Sequence, residues 1–515
     1  MSNPKSIYNE FIRANLPSGM TYDSDTSRYV VNDTPWVTYV SAFWYLRYIE
    51  KFGFSPNPIA SLFANNEPGV WYDPSDLTTL FQDTAGTTPV TTPGQTVALM
   101  LDKSGNGFHA TQPTTSRRPT YGIVPAGGRR NLLGFSEQIG NVIWDRINVS
   151  VATDSSIAPN GTTTADTLGD TGTSGSHSIG QVVTLAPGLT TISQYVKQRA
   201  GSRYFQLRPI GLGTGKAYAN FDPVAGTVVA GGTGGTEFVS ASMIDVGDGW
   251  YRCILVGNYA VAPTGGMAVV SNGTGEYPSY TGDGSGFFVW GAQLEVGSTA
   301  TAYQKVTTQF DVTDAGVASL GYLSFDGVDD WMTAGTSADW NYLHDGTGSM
   351  AAFAVKTAEV ANPNDISFVY STNAGDPTLR GSYVAVDDRS SVSRNDAWNI
   401  RVSNTTTTPT PVFEVTNNTV SDIDGNCVFV FHHGTAETPD YTFRENGVVV
   451  YSGSYGEAPV SGSSSTALII GAGDSAGANP LQGKLFSGII RGVSSTTAEI
   501  SSTEAYLAGK SGVDL

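Results

Sequence analysis

Gly473-Asp-Ser-Ala-Gly477 has the Gly-x-Ser-x-Gly spacing of a nucleophile elbow, where a sharp strand-to-helix turn exposes a serine. Such an elbow needs a following helix and, later in the chain, an acid and a histidine. Pro480 and Gly483 interrupt the next residues, and no histidine follows His433, so a Gly-rich loop between strands is expected instead. Gly211-Leu-Gly-Thr-Gly-Lys216 has some look of a phosphate loop. It lacks the first glycine at the required spacing and puts Ala217 where a hydroxyl should hold magnesium, so it is read as a hairpin loop. Glycoside hydrolysis needs two carboxylates, one to donate a proton and one to attack or stabilise. No Glu-x-Asp-x-x-Glu strand motif supplies them, and the expectation is a protein that is not an enzyme. The five histidines, His109, His177, His344, His432 and His433, are dispersed. The adjacent pair points to opposite faces of a strand, which disfavours a histidine metal site. Hard cations favour carboxylates in turns, and Asp326, Asp329 and Asp330 are the calcium candidates. No cofactor is required by any of these patterns.

Sugar recognition asks for aromatic faces beside hydrogen-bonding and charged groups, because a sugar offers a C–H face and hydroxyl edges. Tyr195, Lys197, Tyr204, Gln206 and Arg208 have that chemistry, on two runs read as adjacent strands. Strand alternation puts Tyr195 with Lys197 on one face, and Tyr204 with Gln206 and Arg208. The same face suits contact with a neighbouring subunit equally well.

These residues must be carried by strands. The 515 residues include 61 Gly and only 14% charged residues, a strand-and-turn composition too long for one core. A formal net charge of −19 argues against a nucleic-acid partner, which needs basic patches. Cys253 and Cys427 form no disulfide framework and read as small buried side chains. No apolar leader is seen at the start, and no run is long enough to span a membrane. Residues 1–65 read as a helical anchor for assembly or, equally, as a helix covering one end of a sandwich. Thr34-Pro35 has the form of a helix start, Gly53 of its end, and Trp36 to Phe52 is greasy around much of its circumference. Beyond it, strands recur at roughly ten-residue spacing, including Gln194 to Lys197, Tyr204 to Arg208, Trp250 to Val256 and Phe287 to Leu294. Glu445-Asn-Gly447 signals a hairpin, and a short helix from Thr497 to Ala508 is expected near the end. The fold class is mostly β.

Two stretches carry a family resemblance. Trp71-Tyr-Asp-Pro-Ser-Asp76, Asp102-Lys-Ser-Gly-Asn-Gly107, Phe325-Asp-Gly-Val-Asp-Asp330 and Leu507-Ala-Gly-Lys-Ser-Gly-Val513 resemble the concanavalin-like (laminin-G-like) β-sandwich of bacteriophage structural proteins. Arg130-Asn-Leu-Leu133, Gly249-Trp-Tyr-Arg252 and Trp290-Gly-Ala-Gln-Leu-Glu-Val-Gly297 resemble a jelly-roll carbohydrate-binding-like module. The resemblance implies a discontinuous sandwich, residues 66–129 plus 310–515, interrupted by an inserted jelly-roll, residues 130–309. It further implies packing roles for Trp250 and Trp290 and a structural ion near Glu137 and Glu295. The setting it implies is a virion: a tail-fibre or decoration protein, held to other virion proteins by residues 1–65. Such a protein would be a homo-oligomer, a trimer by analogy with fibres, that touches host polysaccharide. A decoration protein without ligand, and a polysaccharide depolymerase, are the alternatives.

Overall fold

The computed structural model describes residues 20–23, 28–31, 34–38, 58–183, 185–210, 215–357, 366–376, 379–387, 397–403, 411–416, 425–456 and 458–515. The chain is mostly β and divides into two compact units. The first holds Met1–Pro89, Val97–Pro119 and Ser324–Leu515; the second holds Val90–Thr96 and Thr120–Leu323.

The N-terminal reading needs correction. Thr34–Thr38 is a strand, the third of an antiparallel set with Met20–Asp23 and Arg28–Val31, so Thr34-Pro35 does not begin a helix. Val37 and Thr38 are β-branched, which suits an extended backbone at least as well as a first helical turn. The remainder of the expected helix, residues 39–52, lies outside the described residues, as do residues 211–214 of the supposed hairpin loop.

In the first unit, strands distant in sequence share sheets. Gly69–Tyr72 pairs antiparallel with Gln482–Arg491, in register Tyr72 with Gly488 and Gly69 with Arg491. On its other side Gln482–Arg491 pairs with Ser349–Thr357, which continues to Asn426–His433, Tyr441–Glu445 and Val448–Gly453. Ala110–Thr111 pairs with Met332–Ala334 in a second sheet that also contains Ile366–Ser371, Gly381–Asp387 and Ala397–Ser403. Aromatic rings fill the space between the sheets. Phe353 stacks on Tyr370 at 5.5 Å, and Trp398 meets Phe429 at 5.1 Å and Phe443 at 5.6 Å. All five are essentially fully buried. Truncating such a ring to alanine typically costs about 3–5 kcal/mol. Asn446 (φ 46°) and Gly447 (φ 78°) form the expected hairpin turn, whose two central residues need positive φ. Helix Thr497–Ser511 has the expected place and is capped reciprocally by Thr496 and Glu499.

The second unit contains a sandwich of two six-stranded sheets. Its strands are β1 (Asp145–Ile147), β2 (Val149–Ser156), β3 (Ala165–Asp170), β4 (His177–Val182), β5 (Gly188–Ala200) and β6 (Tyr204–Pro209). They continue as β7 (Tyr218–Asp222), β8 (Thr227–Gly234), β9 (Phe238–Gly247), β10 (Trp250–Tyr259), β11 (Gly265–Ser271) and β12 (Gly286–Val296). One sheet runs β2-β3-β12-β5-β10-β9, the other β8-β7-β6-β11-β4-β1. Every adjacent pair in the two sheets is antiparallel, and alternate side chains meet in the middle. Leu168, Val196, Leu255 and Phe287 from the first sheet pack with Ile179, Phe205, Phe221 and Val270 from the second. Cys253 is buried in this core and Cys427 in the other unit, both as free thiols. No helix among the described residues is long and apolar enough to cross a membrane.

Candidate functional site

The residues singled out for sugar contact are on β5 and β6, and these are not neighbours. β5 pairs with β10 and β12 in one sheet; β6 pairs with β7 and β11 in the other. The expected common face therefore separates into two outer faces of one sandwich. Each half keeps the alternation that was expected.

The β6 half is covered. Phe205 and Leu207 enter the core, while Gln206 and Arg208 point the other way and are nevertheless buried. The 272–279 loop lies over them. Gln206 donates to Asn220 Oδ1 and to the Gly275 carbonyl, both at 2.9 Å, and accepts from the Tyr277 amide at 2.9 Å. Asn220 donates to the Thr274 carbonyl at 2.9 Å. Arg208 pairs with Glu276 at 3.1 Å and sits over the Tyr277 ring at 4.9 Å. Tyr277 adopts φ 48°, uncommon for a non-glycine residue, and these bonds offset that conformational cost. Gln206 and Arg208 thus serve the loop that lies over them. Tyr204, at the start of β6, is half-buried.

The β5 half is open. Tyr195 and Lys197 are half-buried on the outer face, and Arg199 beside them is exposed. Across the strands Tyr195 faces Trp290 and Arg252, and Lys197 faces Phe288 and Trp250. Trp250 and Trp290 are buried beneath, their indole N–H groups donating to the Ile157 carbonyl (3.2 Å) and to Thr164 Oγ1 (3.1 Å). They act as the packing residues expected of them, against Ala158 and Ala165. Tyr195, Phe288 and Tyr303 cover this cluster and stay partly accessible. Tyr195 stands edge-on to Trp290 at 5.2 Å and to Tyr303 at 6.1 Å. The Arg252 guanidinium lies 5.5 Å from the Tyr195 ring centre and donates to Ser193 Oγ and the Thr301 carbonyl. Gly291 (φ 58°) makes room, since a Cβ there would lie 3.0 Å from the Tyr195 ring. Phe288 and Tyr303 were not selected from sequence; alternation along β12 from the predicted packing residue Trp290 would have placed Phe288 on this face.

Of the ion candidates, Asp326, Asp329 and Asp330 come together in the first unit. One carboxylate oxygen from each lies within 4.8 Å of the others. Asp326 Oδ1 accepts from the Val328 amide at 2.8 Å, and Asp330 Oδ2 from the Asp326 amide at 3.1 Å. Burial, with Asp326 and Asp329 nearby, pushes the Asp330 carboxyl up to about 7. Asp329 faces Arg117 at 3.8 Å. Glu137 and Glu295 belong to no group of three acidic, thiol or imidazole side chains among the described residues. Their oxygens take protein donors instead: Lys305 Nζ reaches Glu137 at 2.7 Å, and the hydroxyl and amide of Thr301 serve Glu295.

The Gly-x-Ser-x-Gly segment does not form a strand-to-helix elbow. Gly473–Gly477 is a tight loop between strands Leu468–Ile470 and Gln482–Arg491, closed by the Gly473 amide on the Ala478 carbonyl. A different serine–histidine pair exists, Ser349 Oγ to His433 Nε2 at 2.9 Å. Both are fully buried, and burial beside His432 and His344 holds the His433 imidazole down to about 3, too weak a base to activate a serine.

No family model matches the sequence, and no curated protein matches it. Solved structures resemble parts of the chain. The botulinum neurotoxin serotype G binding domain aligns with TM-score 0.28 and 13% identity over 38% of this chain and 44% of that one. The NanB sialidase of Streptococcus pneumoniae aligns with TM-score 0.24 and 14% identity over 30% and 24%. A leech intramolecular trans-sialidase aligns with TM-score 0.25 and 13% identity over 35% and 25%. This chain thus spans less than half the length of each of the three, and scores this low say nothing about its ligand.

Proposed function

We propose that this is a non-enzymatic recognition protein that binds carbohydrate on the outer face of β5, β10 and β12. The supporting observation is the partly buried trio Tyr195, Phe288 and Tyr303 set over buried Trp250 and Trp290, with Lys197 and Arg199 alongside. Aromatic faces suit the C–H side of a sugar, and the cations suit its hydroxyls or acidic substituents. In this reading Tyr204, Gln206 and Arg208 shape the sandwich from the opposite face and touch no sugar. A glycan array with the intact protein, followed by the double variant Tyr195→Ala/Lys197→Ala, tests it. Binding should fall at least tenfold in the double variant and stay unchanged in Tyr204→Ala. Loss in Tyr204→Ala with binding intact in the double variant would put the sugar on the other face.

The finer setting is inferred from the sequence resemblance: a virion surface protein of the tail-fibre kind, anchored by residues 1–65 and assembled as a homo-oligomer, with domain limits 66–129 plus 310–515 and 130–309. Weak sites repeated on several copies would act through avidity. Localisation of the protein in intact particles tests that setting. A decoration protein would be found there with no glycan bound, and a depolymerase would shorten the polysaccharide on incubation. Calcium at Asp326, Asp329 and Asp330 belongs to the same reading. A melting temperature raised by calcium and restored by chelation would support it.

A further inference from the structure

A cleft of about 570 Å³ opens in the second unit, within the range of roughly 300–1,000 Å³ usual for small-molecule sites. Its walls are largely apolar: Leu132, Phe135, Ile143, Val182 and Phe310 contribute, with Arg129 among them. Ile143 and Val182 are 40% and 61% exposed, unusual for side chains of this kind in a chain that buries most others. The polar wall residue Gln181 is already satisfied, its amide exchanging two hydrogen bonds with the backbone of Gly134 at 2.7 and 2.9 Å.

Arg129 is different. Its Nε and Nη2 donate to the carbonyls of Asn131 and Leu132, both at 2.8 Å, which fixes the guanidinium in place. Nη1 has no hydrogen-bond acceptor, and no carboxylate lies within ion-pairing distance among the described residues. Burial without a counter-charge pushes the guanidinium below its ordinary value, and only the Tyr322 phenol works the other way. A cation in an apolar cleft without an anion is costly unless a ligand supplies one. Three other arginines of this unit have carboxylate partners: Arg130 meets Asp314 at 2.6 Å, Arg203 meets Asp170 at 2.9 Å, and Arg208 meets Glu276.

We propose that this cleft binds a small amphiphilic acid, its carboxylate on Arg129 Nη1 and its apolar body between Phe135, Ile143, Val182 and Phe310. The site is separate from the carbohydrate face and does not depend on it. A carboxylate matches a fixed guanidinium better than a hydroxyl does, since the charge-assisted bond is the stronger.

The test uses the full chain and two matched probes, 4-phenylbutyrate and 4-phenylbutan-1-ol, with affinities from ligand-observed NMR titration. The acid should bind at least tenfold more tightly than the alcohol, and Arg129→Gln should abolish the difference. Because Arg129 also holds two backbone carbonyls, a second variant at the cleft mouth, Ile143→Glu, guards against simple misfolding. It should weaken the acid and the alcohol together while the melting temperature holds. Equal affinities for the two probes, no binding of either, or acid binding that survives both variants would overturn the proposal.

Discussion

Two buried groups of the first unit impose opposite pH dependences. Asp330, raised to about 7 by burial and by Asp326 and Asp329, resists ionising in the fold but not in the unfolded chain. Its contribution is therefore present at low pH and lost as pH climbs from about 4 to 7. His433, held down to about 3 by burial and by neighbouring imidazoles, resists protonation in the fold. Its contribution is present above about 6.5 and lost as pH falls toward 3. Between about 4 and 6.5 the two slopes oppose each other. Asp330→Asn should raise stability at pH 8 by on the order of 2 kcal/mol and leave it nearly unchanged at pH 3.5. Denaturant melts of both proteins at the two pH values check this, and an equal gain at both would show that charge is not the cause. The acidic turn was legible as a cluster, since Asp326, Asp329 and Asp330 are close in sequence. The burial of Asp330 was not, because depth depends on what the fold lays over the turn.

At the level of elements, the 272–279 loop is held to the β6 face by side chains that sequence alone casts as ligand contacts. Arg208→Ala would remove the Glu276 ion pair and the cation over Tyr277 together, leaving Glu276 with a buried charge. We expect a loss of about 2–3 kcal/mol, as for breaking a buried pair, and faster proteolytic nicking within the loop. Limited proteolysis with mass mapping reads the second effect; cleavage at an unchanged rate would mean that the loop is held elsewhere. The half-site on β5 was legible because alternation within one strand fixes which residues share a face. Its separation from β6 was not. Three residues, Gly201 to Arg203, join the two strands, and so short a link also fits a hairpin. Here it carries the chain from one sheet to the other. The N-terminal segment failed for a related reason: Thr-Pro starts helices, but Pro also enters edge strands, and pairing with Arg28–Val31 decided the outcome.

At the level of the molecule, the first unit is assembled from pieces separated by more than two hundred residues. Gly69–Tyr72 lies against Gln482–Arg491, and the Trp71 indole and Tyr506 ring meet edge-on at 5.8 Å. Lys103 and Lys510 both reach the buried Asp73 carboxylate, each at 3.0 Å. A fragment beginning at Ser324 would leave the edge of Gln482–Arg491 unpaired and Lys510 without its partner. It should fail to give a cooperative melt by circular dichroism, whereas co-expression with residues 58–119 should restore one. A sharp transition for the fragment alone would show that the first segment is dispensable.

The packing roles of Trp250 and Trp290 came from the family resemblance, and they are filled on the outer face beneath Tyr195. Composition and alternation were enough to determine that this chain is mostly β and that Tyr195 and Lys197 look the same way, local properties set by the two-residue period of a strand. Which strands become neighbours, which polar faces end up covered, and where an arginine is left without an anion were decided only by the tertiary structure. Pairing and burial depend on segments far apart in the chain, and no local pattern encodes them.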